Sequence, residues 1–181
     1  MLFALATNTI FIACDKDDKK ESPFKTVTLG AQKNTEIKGF LSITDNKKYD
    51  TETAFNNQAA IDIYCFYEEG RNDIALASPG SGIKGVFSGD KAPEKWKTVH
   101  TTRFFNLEGV LSVAQFESLN EDNALIKTIY NADEAYRKAK KLEKNNLYAF
   151  KTENNIYGIL KVNSVIQGEK GSVEFTYIIK K

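Results

Sequence analysis

Histidine chemistry in this chain of 181 residues rests on one side chain, His100. A single histidine excludes multi-histidine metal sites and makes any histidine-based triad depend on that position. Its candidate nucleophile is Cys65, set in Ile61-Asp62-Ile63-Tyr64-Cys65-Phe66-Tyr67. An activated thiolate needs an electropositive, accessible setting, and these apolar neighbours predict an inert buried thiol instead. Asp62 and Glu68 share one face of the same predicted strand. Six residues separate them by roughly 20 Å, too far for a glycosidase acid–base pair. Gly80-Ser81-Gly82-Ile83-Lys84-Gly85 has the spacing of a dinucleotide-binding glycine loop and follows a predicted strand. Gly89 and Pro93 then stand where a helix should begin, so no helix N-terminus is available for a pyrophosphate. Asp15, Asp17 and Asp18 mimic the start of a calcium loop but lack its glycine and distal glutamate. The expectation is a chain without a catalytic set, a metal site or a cofactor.

Recognition chemistry points to Trp96, the only tryptophan, in Pro93-Glu94-Lys95-Trp96-Lys97. Its charged neighbours predict partial exposure, and an exposed indole can stack on a sugar face or anchor a protein partner. The competing reading is an indole folded back over the end of a sheet.

Cys14 ends an uncharged run of 12 residues, Leu2 to Ala13, and precedes Asp15-Lys16-Asp17-Asp18-Lys19-Lys20-Glu21. Twelve residues suit a signal-peptide core and fall short of the 18 or more that span a bilayer. Ala13 supplies the small residue before a processing site, and Cys14 the thiol after it. A buried strand is the competing reading of residues 2–13, but Thr7-Asn8-Thr9 interrupts the run without strand-like alternation. Phe11-Ile12-Ala13-Cys14 resembles the lipobox of bacterial lipoproteins, with Phe11 in place of the usual leucine. No Lys or Arg precedes the run, which places the expected start codon upstream. The acidic residues after Cys14 resemble the export signal of Bacteroidota-type surface lipoproteins. That resemblance implies an outer-membrane protein, lipid-anchored at Cys14 and facing the cell exterior. In enterobacterial lipoproteins an Asp directly after the cysteine implies inner-membrane retention, so the address depends on lineage.

Removing residues 1–13 leaves a length that suits one globular domain with a core needing no metal or disulfide. The expected organisation is a signal peptide over 1–13, a lipidated cysteine and charged tether over 14–23, and a single domain over 24–181. Twenty-five Lys and Arg balance 24 Asp and Glu, a net charge of +1 that gives no long-range field for nucleic acid. With Cys14 acylated, Cys65 is the only thiol left, so no intramolecular disulfide forms.

The elements that must position these residues are mostly strands. Alternation predicts strands at Phe24 to Leu29, Ile37 to Thr44 and Ile61 to Tyr67, the last returning through Glu69-Gly70-Arg71-Asn72 into Ile74 to Ala77. Both faces of Ile61 to Tyr67 are apolar, which predicts a mid-sheet strand covered on two sides. Ser78 to Pro93, with four of the chain's 11 glycines, reads as a long irregular excursion. Short helices are predicted over Glu52 to Gln58, Val113 to Leu119 behind a Ser112/Gln115 capping box, Glu121 to Tyr130, and Asn131 to Leu142. Leu147 to Thr152, Ile156 to Val165 and Gly171 to Lys180 form the pattern of an antiparallel meander. Val173, Phe175, Tyr177 and Ile179 make one apolar row in its last strand, where a charge at Phe175 should unfold the domain and one at Glu174 should not.

Gly39-Phe40-Leu41-Ser42, Leu76-Ala77-Ser78-Pro79, Tyr148-Ala149-Phe150-Lys151-Thr152 and Tyr157-Gly158-Ile159-Leu160-Lys161-Val162 resemble a domain of uncharacterised Bacteroidota lipoproteins. That resemblance implies no activity and no catalytic residue. The expected fold is α+β, a largely antiparallel sheet with a C-terminal three-strand meander and two or three short helices packed on it. The expected function is a non-catalytic binding or accessory module for a glycan or protein ligand, attached to the membrane through Cys14, with Ser78 to Trp96 as its contact region. A carboxylate-dependent hydrolase and a structural subunit of an envelope assembly are the alternatives.

Overall fold

A computed structural model of the protein describes residues 22–181. Ten strands form two five-stranded antiparallel sheets that pack face to face, with a further layer on each outer face. The first sheet runs in the order β1 (Lys25–Gly30), β10 (Ser172–Ile179), β9 (Tyr157–Ile166), β8 (Leu147–Lys151), β6 (Arg103–Asn106). The second runs β3 (Lys47–Tyr49), β2 (Phe40–Ser42), β4 (Ile63–Glu68), β5 (Asp73–Ala77), β7 (Lys138–Ala139). The α+β class and the C-terminal meander are as the sequence predicts, but the strands divide between two sheets.

Alternation explains the layering. In β4, Ile63 and Cys65 face the other sheet, whereas Tyr64 and Phe66 face outward. In β10, Val173, Phe175 and Tyr177 enter the central core and Ile178 points to the opposite face. The predicted mid-sheet place of β4 is therefore correct, and its two apolar faces serve two different cores. The outer face of the β4 sheet is covered by α1 (Thr51–Asn56) and the excursion after β5. The outer face of the meander sheet is covered by residues 107–130, which include α2 (Val113–Glu117) and α3 (Leu125–Thr128).

Helix α2 starts on the predicted capping box, with Ser112 Oγ accepting from Gln115 N at 3.2 Å and Gln115 Oε1 accepting from Ser112 N at 2.9 Å. The helix expected over Glu121 to Tyr130 shrinks to α3, because the Asn120 and Asn123 side chains accept from the amides of Asp122 and Leu125 and hold turns before it. The helix expected over Asn131 to Leu142 is absent. Tyr136 instead exchanges both backbone hydrogen bonds with Phe104 of β6, at 2.7 and 2.9 Å, and Lys138–Ala139 pair with Leu76 and Ala77 of β5. Pairing to the open edges of both sheets outweighs the modest helical bias of this segment. One stretch of four residues thus ties β6 of one sheet to β5 of the other. On the opposite side the Gln32 side chain closes the gap, donating to Tyr67 O at 3.0 Å and accepting from Tyr67 N at 2.8 Å.

Candidate functional site

The residues singled out by type have structural surroundings. Cys65 is fully buried in the central core, and burial pushes its thiol far above the ordinary range. Asp62 is buried at the start of β4 and accepts from Ile43 N at 2.8 Å, and desolvation raises its carboxyl despite that bond. Glu68 pairs with Lys140 and, at 3.2 Å, with Arg71, and the Lys140 ammonium holds its carboxyl below the usual range. His100 is half-buried, its backbone oxygen accepts from Gly80 N at 2.8 Å, and its Nδ1 is buried without a hydrogen-bond partner. Cys14, Asp15, Asp17 and Asp18 lie outside the described residues. Among the described residues no three His, Cys, Asp or Glu side chains converge as metal ligands would.

Trp96 is placed otherwise than its charged neighbours predict. The indole is only 7% exposed, lies 5.6 Å from the Phe40 ring and donates its Nε1–H to Lys91 O at 2.8 Å. Phe87, Ile83 and Val86 of the excursion pack beside it over Phe40 and Tyr64. The excursion is a built layer. Gly80 N is bound to His100 O, Ser81 Oγ lies 3.3 Å from Tyr64 Oη, and Gly85 N donates to Glu94 at 2.7 Å. The folded-back position of Trp96 satisfies a large apolar side chain and its one polar atom together.

A polar surface with several cations outside any ion pair among the described residues lies at the end of the meander sheet beside β7. Register places Arg103 of β6 opposite Lys151 of β8, and Lys151 opposite Tyr157 of β9. The three side chains form one row on the outer face, because the intervening Phe104 and Phe150 enter the central core. Lys151 Nζ lies 5.3 Å from the centre of the Tyr157 ring, and Lys127 Nζ of α3 lies 5.4 Å from the same ring. Tyr130, just past α3, meets Tyr157 edge to face at 5.7 Å. Burial raises the Tyr130 hydroxyl above its ordinary range, partly offset by the Arg103 charge, so it remains a protonated donor at neutral pH.

Arg137 completes the group from the segment before β7. Its guanidinium donates to Gly80 O at 3.3 Å, while that of Arg103 donates to Ala135 O at 3.2 Å. These carbonyls orient both forks without neutralising them. No carboxylate lies within ion-pair distance of Arg103, Lys127, Arg137 or Lys151 among the described residues. The one acid in the pocket, Glu153, has its Oε2 occupied by Thr101 N at 2.6 Å. An open hollow of about 340 Å³ lies between Arg103, Arg137, Lys151, Tyr130 and the β8–β9 turn, in which Asn155 adopts a left-handed conformation with φ 60°. Arg137 also lines a second cleft of about 480 Å³ with Tyr136, Lys138, Lys140 and Tyr148. Tyr136 is 73% exposed there, whereas Tyr148 is buried and donates its hydroxyl to Lys140 O at 3.1 Å.

No family model matches the chain, and no curated protein does. Its fold resembles that of a DUF4466 family protein from Parabacteroides merdae. The match has a TM-score of 0.57 at 16% sequence identity and covers 88% of this chain. This chain spans about half of that structure, 54% of its length. An identity so low shows the fold alone. It lends this chain no activity, as the sequence resemblance also lends none.

Alternation along Arg103-Phe104-Phe105-Asn106 is enough to place Arg103 on an outer face. What the sequence hides is register. Arg103 and Lys151 are 48 positions apart, and nothing local says that they stand side by side. Arg137 and Tyr136 are hidden for another reason, since a helical reading of their segment scatters them over a helix surface. A strand pairing aligns them with the pocket edge.

Proposed function

We propose that this chain is an outer-membrane lipoprotein, anchored through Cys14 and facing the cell exterior, that acts as a non-catalytic binding module. The aromatic and cationic surface around Tyr136 and Arg137 is its contact region, in place of the Ser78 to Trp96 excursion. The observation that supports this most is the state of Tyr136, a large aromatic side chain left 73% exposed at the mouth of a 480 Å³ cleft. Folding does not require that exposure, and exposed aromatic side chains beside convergent polar groups are the usual anchors of recognition. The sandwich beneath it is closed along both sides and covered on both outer faces, which suits a platform that positions a site.

The anchoring half of the proposal is tested by intact-mass measurement of protein extracted from its native membrane. The expected product starts at Cys14 and carries acyl chains, and an unmodified Cys14 with residues 1–13 attached contradicts it. The binding half is tested by capture of extracellular ligands from a glycan array and from cell-surface extracts. Tyr136→Ala should abolish capture while leaving the thermal midpoint unchanged. Equal capture by wild type and variant would move the contact region elsewhere.

A further inference from the structure

The Arg103–Lys151 pair poses a physical problem of its own. Like charges directly opposite across two strands are unfavourable, and acidic side chains normally relieve them. Here the neighbours of Lys151 on its face are Arg103 on one side and the neutral Tyr157 ring on the other. Lys127 approaches the same ring, and Arg137 lines the same pocket. Three cations therefore line one hollow with a single carboxylate, Glu153, whose Oε2 is held by Thr101 N and which pairs with none of them, in a chain whose net charge is only +1. The two guanidinium groups are held from behind by backbone carbonyls, which restricts their motion and preserves their charge. Local rules broken with only partial compensation in the folded chain are characteristic of binding sites.

Resting on the binding-module reading above, we propose that the pocket formed by Arg103, Arg137 and Lys151 takes an anionic group of an acidic polysaccharide. A neighbouring sugar ring of the same chain lies on Tyr136 in the adjoining cleft. The anionic group is a carboxylate or a sulfate ester. Both present several oxygens to a planar guanidinium, which matches their geometry with paired hydrogen bonds. A saccharide rather than an acidic peptide fits because each cleft pairs cations with a tyrosine, Tyr130 in one and Tyr136 in the other. Alternating apolar ring faces and anionic groups describe a charged sugar chain. Arg137 belongs to both clefts, so a polymer passing from one to the other meets it at the junction.

The test is affinity electrophoresis and calorimetry of the full chain with four polymers: polygalacturonate, dextran sulfate, dextran and poly-L-glutamate. The proposal expects binding to polygalacturonate or dextran sulfate, the stronger of the two identifying the anion, and none to dextran. Arg103→Gln and Lys151→Gln should each weaken that binding about tenfold, the size of one lost charge-assisted contact. Each should leave the thermal midpoint unchanged or higher, since each relieves the like-charge pair. A residue with only a structural role would lower that midpoint. Equal binding of dextran and dextran sulfate would overturn the anionic pocket while leaving the binding module intact. Tighter binding of poly-L-glutamate would overturn the saccharide assignment. Failure of all four polymers would overturn the whole inference, and the array and extract screen with Tyr136→Ala would separately decide the binding-module reading.

Discussion

Individual side chains in this protein divide between those that hold the fold and those the fold leaves free. Trp96 belongs to the first group, stacked near Phe40 with its indole N–H satisfied by Lys91 O. Trp96→Ala should cost about 3 kcal/mol or more of unfolding free energy through the cavity it leaves, measured by denaturant titration, and should leave ligand capture by the folded fraction unchanged. Glu68 also holds the fold, through Lys140 and Arg71. Its carboxyl lies below the ordinary glutamate range in the folded protein, so its stabilising contribution is fully present above the unfolded value. That contribution is lost as pH falls through the lower folded one. Glu68→Gln should therefore cost about 0.5 kcal/mol at pH 7, a size typical of such partly exposed pairs, and nothing once the pH lies below both values. A series of denaturant titrations from pH 7 downward checks that the difference fades with acidification. Arg103, Arg137 and Lys151 form the second group, held by carbonyls or a tyrosine ring but paired with no carboxylate among the described residues.

Secondary-structure elements explain how two short sheets become one closed sandwich. Two devices close its sides: Tyr136 to Ala139 join β6 to β5, and the Gln32 amide imitates a strand against Tyr67. Gln32→Ala would leave both backbone groups of Tyr67 without their present partner, and a loss of about 1–3 kcal/mol is expected by thermal or denaturant unfolding. In β10 the inward row is stricter. Phe175→Asp should abolish folding, whereas Glu174→Lys, half-buried on the opposite face and giving up only hydrogen bonds from Thr28 and Asn163, should shift the midpoint far less, as circular dichroism would record. That row and the meander were legible in the sequence because alternation is a local signal that hairpins preserve. The segment after Asn131 was not legible, because its structure comes from pairing with Phe104 and Leu76, residues far away in the chain. The division into two sheets was hidden for the same reason. Period two reveals which face a residue takes but not which sheet it joins.

At the scale of the whole molecule, four layers lie in sequence: the excursion, two sheets, and the segment bearing α2 and α3. Both outer faces are thereby covered over much of their area, and the candidate site lies where the layers end beside β6 and β7. Composition alone conceals this, because a net charge of +1 averages a cationic end with acidic residues elsewhere. The candidate site was thus the part of the molecule least visible in sequence, each of its residues being ordinary by type and informative only by neighbour. The most direct test of the account is a nitrogen-15 correlation spectrum of the protein titrated with oligomers of the polymer that binds best. Shifts confined to Arg103, Tyr136 to Lys138 and Lys151 with their neighbours are the predicted result. Shifts concentrated instead on residues 84–91 at the tip of the excursion would contradict it.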